Sequence, residues 1–298
     1  MEISSEIVGT ELAYSYMDLF EQSLMTFAAA TYDLNPVYVD DTRHGGIVAP
    51  PMYTAALNCP VIKSLKDYFH FLYPALIDRN FLLQSEHIVY KRLFKPDDQI
   101  TVKGKVAALL PHQRGAKLYM KFDYVDEKGR IIQTEYNGAI LLGVYCRDTG
   151  LGEDELPNHT RIDTPSALIW DKKFTVPQEA PYIYANSDCV DSTLHTSKLA
   201  AKTAGMQDVT LQGSALLAYT LRELIDYEID GEPEYLQSVA CEFVDSVQPG
   251  VELRIRLLKK ERNAFQKKLW FDVLKVPDGI AITDGFLTCS DEERKKTG

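Results

Sequence analysis

Two blocks of the chain alternate apolar and polar residues with the period of a β-strand. In the first block, four segments between residues 82 and 144 alternate or are rich in β-branched and aromatic residues. Turns rich in Pro, Asp and Gly separate them. Four further segments of the same kind lie between residues 235 and 289. The pattern predicts two antiparallel sheets, each of four consecutive strands.

A stretch that is apolar nearly all round precedes each block. The first begins at Val48 and carries Pro50 and Pro51, which are tolerated where a helix begins because the first turn leaves N–H groups unused. The second runs from Gly213 to Tyr227. A helix that is apolar on every side must be enclosed by other structure. We therefore predict an α+β protein in which each curved sheet wraps around one buried helix.

The second half of the chain repeats the first. The segment K-P-D-D-Q-I-T-V at residues 95–102 matches Q-P-G-V-E-L-R-I at residues 248–255, a turn with Pro entering a strand in both cases. Between the halves, the sequence loses its periodicity and becomes rich in Gly, Pro, Asp and Thr. We therefore predict an N-terminal unit over residues 1–145, a linker over 146–172 and a C-terminal unit over 173–298.

Charge and composition argue against some classes of binding partner. The formal net charge of −11 argues against nucleic acid or an anionic membrane surface, because both attract a basic face. No apolar run approaches the roughly 18 residues needed to span a bilayer, and we expect a cytosolic protein. The five cysteines are odd in number and widely spaced, so we expect reduced, mostly buried thiols and no metal site.

One histidine stands where chemistry is expected. His195 follows two acidic residues, Asp188 and Asp191, and precedes the helix that Gly213 opens. An imidazole, a carboxylate and the N–H groups of a helix N-terminus are the groups needed to add water to an activated double bond or to remove it. Among the other histidines only His44, beside a Gly-Gly pair, is a rival, and we interpret it as a loop residue.

Several motifs resemble those of one family. Residues 33–38 read D-L-N-P-V-Y, which keeps the spacing of a hydratase motif but has Tyr38 where that motif has histidine. In the second half His195, Ala201 and Gly205 fall at matching spacings, followed by L-Q-G-S-A-L-L-A at residues 211–218. Together with the duplicated helix-in-sheet pattern, these segments resemble the MaoC-like (R)-specific enoyl-CoA hydratases of the double hotdog type.

The resemblance implies one active site per chain, in the C-terminal half. It implies reversible hydration of a trans-2-enoyl thioester to the (R)-3-hydroxyacyl thioester, without a cofactor, on coenzyme A or an acyl carrier protein. His195 would be catalytic and the Gly213 N–H would form the oxyanion hole. The substrate-binding residues it implies are Tyr38, Gln212 and Ser214.

Two residues are candidates for the catalytic carboxylate. The family places its aspartate five residues before the histidine, where this chain has Val190. Asp191 stands four residues before His195 and is preferred because a small slip of the loop restores it, and Asp188, seven before, is the alternative. Two other functions stay open: a thioester-binding hotdog without catalysis, and a thioesterase. A monomer and a homodimer are both compatible with the duplication.

Overall fold

A computed structural model gives the fold of residues 1–68, 81–158, 160–162, 168–187 and 192–291. The strands are β1 (Glu2–Ile3), β2 (Ser15–Asp18), β3 (Phe81–Tyr90), β4 (Gln99–His112), β5 (Gly115–Val125), β6 (Ile131–Leu142), β7 (Tyr145–Cys146), β8 (Trp170–Thr175), β9 (Leu236–Phe243), β10 (Glu252–Arg262), β11 (Gln266–Val276) and β12 (Ile280–Ser290). The helices are α1 (Glu21–Ala30), α2 (Pro36–Val39), α3 (Thr54–Lys63), α4 (Leu65–Tyr68), α5 (Ala180–Ala185), α6 (Lys198–Thr203) and α7 (Gly213–Glu228). The predicted α+β class is confirmed.

Ten of these strands form one antiparallel sheet, in the order β2-β4-β5-β6-β3-β9-β12-β11-β10-β8. The first five strands come from the N-terminal half and the last five from the C-terminal half. Read from the outer edge toward the middle of the sheet, the two halves have the same arrangement of strands. β4 begins at Gln99 and β10 at Glu252, 153 residues further along. That distance is the offset between the two Pro-led turns of the sequence repeat, so the duplication is visible in the strands themselves.

The two halves meet where β3 pairs with β9, and we call this pairing the seam. Residues 85–89 run antiparallel to residues 238–242 across it. Because the seam is an ordinary strand ladder, the backbone groups that would form two open edges are paired with one another. The two units are therefore joined through the middle of one sheet.

Each half buries one helix. In α3, seven of ten residues are buried, and in α7 ten of sixteen. Gly104 on β4 shows how closely α3 approaches its sheet, because a Cβ there would lie 2.6 Å from Cγ1 of Val61. The absence of a side chain at this position is thus needed for the helix to pack against the strand.

Two short elements do not follow from the sequence pattern. α2 forms a single helical turn in a segment whose Asn and Pro indicate irregular backbone. β8 begins inside the predicted linker and pairs with β10 at one edge of the sheet. Its sequence W-D-K-K-F-T is highly charged and its side chains are at most half-buried, which is typical of an edge strand and gives little alternation to detect.

Within the described part of the chain, no helix is both long enough and apolar enough to cross a membrane. Cys59, Cys241 and Cys289 are buried and Cys146 is half-buried, in line with the prediction of buried thiols. Cys189 lies outside the described residues.

Candidate active site

His195 ends a short 3-10 turn, Thr193–His195, and its ring is held by one main-chain group. Nδ1 lies 2.7 Å from the carbonyl oxygen of Thr210 and 3.3 Å from the hydroxyl of the same residue. A carbonyl only accepts hydrogen bonds, so Nδ1 must carry the proton that it donates. In the neutral ring the lone pair is then on Nε2, which is the form of imidazole that accepts a proton.

Partial burial favours the neutral form of this histidine. Desolvation lowers the pKa of His195 below its ordinary value of 6.5, and the hydrogen bond to Thr210 opposes the shift without cancelling it. A positively charged ring would lose more hydration in this environment than a neutral one. At neutral pH His195 is therefore a base that holds no second proton.

The segment that fixes His195 leads directly into α7. The main-chain N–H of Thr210 donates to the carbonyl of Leu194 at 3.3 Å, and that of Leu211 donates to Val247 at 2.7 Å. Two residues after Leu211, Gly213 begins the helix. These bonds tie the histidine turn to the segment immediately before the N-terminus of α7.

The N-terminus of α7 has the properties of an anion site. Gln212 occupies the position before the first helical residue but makes no side-chain hydrogen bond that would cap the helix. First-turn N–H groups have no partner inside a helix, and the helix dipole places partial positive charge there. Gly213 and Ser214 are half-buried, so this end of the helix is accessible.

Gly213 lies in a confined space. A Cβ at this position would be 2.9 Å from Cδ2 of Leu83 and 3.5 Å from Cδ1 of Phe243. Leu83 is on β3 and Phe243 ends β9, so residues of both halves surround this glycine. A larger residue at position 213 would have to displace one of them.

Gln212, predicted to bind substrate, is buried and partly anchored. Its Nε2 donates to the carbonyl of Pro181 at 3.1 Å, which fixes the direction of the amide. Its Oε1 is buried and has no hydrogen-bond partner among the residues that the structure describes. A buried amide oxygen in this condition retains the capacity to accept a hydrogen bond.

Both candidate carboxylates, Asp191 and Asp188, lie outside the described residues. The choice between them therefore stays a prediction.

The corresponding position in the N-terminal half is closed. Tyr38, in α2, is fully buried, and within the described part of the chain its hydroxyl has no hydrogen-bond partner. Burial, with Asp33 and Asp226 adding to it, raises the pKa of Tyr38 well above its usual value of 10.0. The hydroxyl therefore stays protonated and cannot serve as the base that histidine provides in the other half.

The D-L-N-P segment instead builds its own loop. Asp33 accepts a hydrogen bond from the N–H of Asn35 at 3.2 Å, and the Asn35 side-chain oxygen accepts from Val37 at 3.0 Å. The Asn35 amide also donates to the carbonyl of Gly231 at 2.7 Å. The motif thus ties the N-terminal half to the end of α7, a structural use of these residues.

A pocket of about 560 Å³ opens beside this loop. Asp33, Asp226 and Asp230 line it together with Arg222. Burial raises the pKa of Asp33 to about 6; the hydrogen bond from Asn35 opposes this rise and the carboxylate of Asp226 adds to it. The Arg222 guanidinium is already engaged by the Glu223 carboxylate at 2.7 Å. The pocket is therefore acidic, which disfavours the phosphates of a coenzyme A.

The residues that the structure describes contain no group of three His, Cys, Asp or Glu side chains that could hold a metal ion.

Three residues at the site were not predicted from the sequence: Thr210, Leu83 and Phe243. Each is brought to the site by contacts between distant segments. The sequence around each of them has no local pattern that marks a functional residue.

Comparison with known proteins relates this arrangement to one fold. Residues 6–135 match the family described as FAS1-like, dehydratase domain region. A MaoC-like dehydratase from Phytophthora capsici has a TM-score of 0.80 at 17% identity, over 96% of this chain and 98% of that one. A Mycobacterium tuberculosis protein described as a double hotdog has a TM-score of 0.63 at 11% identity, over 94% and 96% of the two chains. The chain has the double hotdog fold of the MaoC-like dehydratases.

A similar fold occurs in a protein that is named for other chemistry. A Lactobacillus plantarum protein named as an oleoyl thioesterase has a TM-score of 0.55 at 9% identity, over 94% of this chain and 96% of that one. No curated protein has a sequence that matches this chain. The family match over residues 6–135 relates the N-terminal half to a dehydratase domain, and the solved structures show the fold, which alone does not choose between dehydration and thioester hydrolysis.

Proposed function

We propose that this chain is an enoyl-thioester hydratase/dehydratase, acting reversibly between a trans-2-enoyl thioester and the (R)-3-hydroxyacyl thioester. The carrier is coenzyme A or an acyl carrier protein. Addition of water leaves the overall oxidation state of the acyl group unchanged, so the reaction needs no redox cofactor. The active site would lie in the C-terminal half.

The observation that carries this proposal is the hydrogen bond from His195 Nδ1 to the Thr210 carbonyl. It fixes a neutral tautomer with Nε2 as the accepting nitrogen, and the residue that holds the ring, Thr210, lies three residues before Gly213, where α7 begins. A base held next to a helix N-terminus matches the two demands of the reaction, which are to deprotonate water and to stabilise a negative oxygen.

In the hydration direction, a water oxygen bonds to C3 while His195 Nε2 takes one of its protons. The electrons of the C2–C3 double bond move toward the thioester oxygen, which accepts a hydrogen bond from the Gly213 N–H as it becomes negative. The proton then passes to C2 and restores the thioester carbonyl. Asp191, or Asp188 in its place, would hold the same water and share the proton transfer.

Residues beside the oxyanion position complete the proposed site. Gln212 and Ser214 flank Gly213 and would contact the thioester. Tyr38 is proposed only as part of the layer behind the pocket wall, because its side chain is fully buried.

The test compares His195→Gln with wild type on trans-2-butenoyl-CoA, by following loss of the conjugated thioester absorbance. We expect kcat/KM to fall about 100- to 10,000-fold, the usual contribution of a general acid–base group. Burial lowers the pKa of His195 below 6.5, so the ring becomes protonated only at a lower pH. The loss of activity on the acid side of the wild-type pH profile should therefore lie below pH 6.5. His44→Gln, a change in an exposed loop, should leave both quantities unaltered.

The same reactions can be assayed for release of the thiol of coenzyme A. Thiol release without hydration would identify a thioesterase, the activity of one protein of similar fold. Binding of the thioester without either reaction would identify a non-catalytic binding protein. Full hydration by His195→Gln would overturn the assignment of the base.

A further inference from the structure

The space in front of Gly213 is bounded by two apolar side chains that come from different halves of the chain. The point that a Cβ of residue 213 would occupy is 2.9 Å from Leu83 Cδ2 and 3.5 Å from Phe243 Cδ1. Both distances are van der Waals contact or closer, so these side chains pack directly over the glycine α-carbon. Together they form what we call the Leu83–Phe243 clamp.

The seam explains why these two residues meet. Ser85 is opposite Glu242 in the β3–β9 register, and this is the last pair at that end of the seam. Phe243 is the next residue along β9, and Leu83 lies just before the irregularity in β3 between residues 83 and 85. Antiparallel pairing therefore places the start of β3 beside the end of β9, at the N-terminus of α7.

Both side chains of the clamp are only half-buried although they are large and apolar. Gly213 and Ser214 share this intermediate exposure. Burial of such side chains is favourable, so apolar groups that border accessible space beside a helix N-terminus are typical of a ligand site. The clamp thus forms an apolar border next to the proposed oxyanion position.

Under the proposed function, the bound thioester brings a particular atom to this border. A carbonyl oxygen that accepts from the Gly213 N–H lies about 2.9 Å from the nitrogen. With ordinary bond lengths, C2 of the acyl group is then within roughly 5 Å of that nitrogen. A substituent on C2 is consequently the first part of the acyl group to meet Leu83 or Phe243.

We infer that the Leu83–Phe243 clamp selects acyl groups that are unbranched at C2, an inference that rests on the proposed function. A hydrogen on C2 fits beside the clamp, whereas a methyl group must displace a side chain that already contacts Gly213. One methyl group of misfit is worth roughly 10- to 200-fold in discrimination. The substrate class is therefore a straight-chain trans-2-enoyl thioester, and a residue of the non-catalytic half helps to set it.

The experiment measures kcat/KM for trans-2-butenoyl-CoA and for trans-2-methyl-2-butenoyl-CoA. Wild type should prefer the unbranched thioester by at least about tenfold. Leu83→Ala should reduce that preference about tenfold, mainly by faster reaction of the branched thioester. Leu82→Ala is the matched control, because the neighbouring residue of a strand points to the opposite face, and it should retain the wild-type preference.

The possible results separate the inference from the proposed function. Hydration by wild type with an unchanged preference in Leu83→Ala, or with equal effects in Leu82→Ala, overturns the inference alone. If wild type hydrates neither thioester, the proposed function fails, and calorimetric Kd values for butanoyl-CoA and 2-methylpropanoyl-CoA then test the clamp. Equal Kd values in wild type, or no binding of either ligand, overturn the inference as well.

Discussion

Glu86 on β3 and Glu135 on β6 are two glutamates buried inside the N-terminal half. The carboxyl of Glu135 is near enough to raise the pKa of Glu86, whose Oε1 is buried with no hydrogen-bond partner among the described residues. Glu135 accepts from the Asn58 amide at 2.7 Å and from the hydroxyl of Tyr124, and Glu86 accepts from the Asn137 amide at 3.2 Å. Glu135 receives two donors and Glu86 one, so the proton that the pair retains belongs on Glu86.

The surroundings favour retention of that proton. Burial raises the pKa of Glu86 well above 4.5, and the neighbouring carboxyl of Glu135 adds to the rise. Burial also raises the pKa of Glu135, against the effect of its donors. The other titratable groups that face the pair are Tyr90, Tyr124 and Cys241, none of which supplies a positive charge. Ionisation of both carboxyls would place two uncompensated charges in the interior.

We expect Glu86→Gln to stabilise the protein at alkaline pH. A carboxyl whose pKa is raised by folding contributes stability that is full below its unfolded value of 4.5 and is lost as pH rises through the folded pKa. Wild-type Tm should thus fall between pH 5 and pH 9, and the variant should fall less, ending a few degrees higher at pH 9. An amide keeps a donor toward Glu135 and removes the titration.

Thermal unfolding followed by circular dichroism over that pH range measures the effect. Glu153→Gln, at an exposed glutamate, is the control and should follow the wild-type curve. Parallel curves for Glu86→Gln and wild type would show that the pair does not titrate in the folded protein.

At the residue scale, the sequence offered only local signals, and the catalytic role of His195 stays a prediction. His195 was singled out by its spacing to Gly213, and its neutral tautomer needed the structure because Thr210 is brought to it by folding. The Glu86–Glu135 pair was not predicted, since a polar residue in an alternating strand looks the same whether its face is solvated or enclosed. Tyr38 was predicted as a substrate contact, and the structure adds that its hydroxyl is enclosed.

At the scale of elements, the start of α7 depends on the strand that passes over it. Gly213→Ala keeps the N–H of the residue but adds a Cβ at 2.9 Å from Leu83 Cδ2. Because the obstacle is the end of a flexible side chain, Leu83 can rotate away, into the space where a thioester would lie. We expect kcat/KM for trans-2-butenoyl-CoA to fall roughly 10- to 100-fold with the helix intact.

The double variant Gly213→Ala/Leu83→Ala tests this cause. It should recover at least about tenfold in kcat/KM, because the added methyl then has room and the N–H donor is unchanged. Gly213→Ala/Leu82→Ala should show no recovery. Equal activities for the single and both double variants would mean that the glycine is needed for its backbone and not for the contact with Leu83.

Most elements followed from periodicity. The eight main strands and the helices α3 and α7 appear where the alternation and the apolar runs indicate, since each buries one face or all faces against its own half. α2 and β8 are short, and their pairing depends on neighbours that come from elsewhere in the chain. Local sequence does not contain that information.

At the scale of the whole molecule, each half covers an open sheet edge of the other through the seam. Expressed alone, residues 1–145 would expose the edge of β3, and residues 168–298 that of β9. Open edges of this kind associate with other strands. We expect each half alone to self-associate or precipitate, and the two halves expressed together to co-purify in equal amounts.

Size-exclusion chromatography with light scattering distinguishes these states, with the intact chain as the reference. A folded, monomeric N-terminal half would contradict this expectation and would show that the seam adds little to stability. The hydration assay on the mixed halves is an additional readout, because the Leu83–Phe243 clamp requires both.

The seam itself was not predictable from the sequence. The repeat indicated two units, but either edge of each sheet could have joined them, and no residue pattern distinguishes an edge covered by another half from one covered by a loop. The 153-residue offset fixed the internal order of the copies. The contact between the two copies depends on how the edges of their folded sheets fit together.

Joining two hotdogs through one sheet also changes how such a protein can evolve. A pair made of two identical chains must carry every mutation twice, once at each site. In one fused chain, a change at position 38 leaves position 195 untouched, so one copy can lose its histidine while the other keeps it. The copy released from that constraint still supplies Leu83 beside Gly213. Under the proposed function, selection can therefore adjust the choice of substrate in one half without altering the proposed reacting groups in the other.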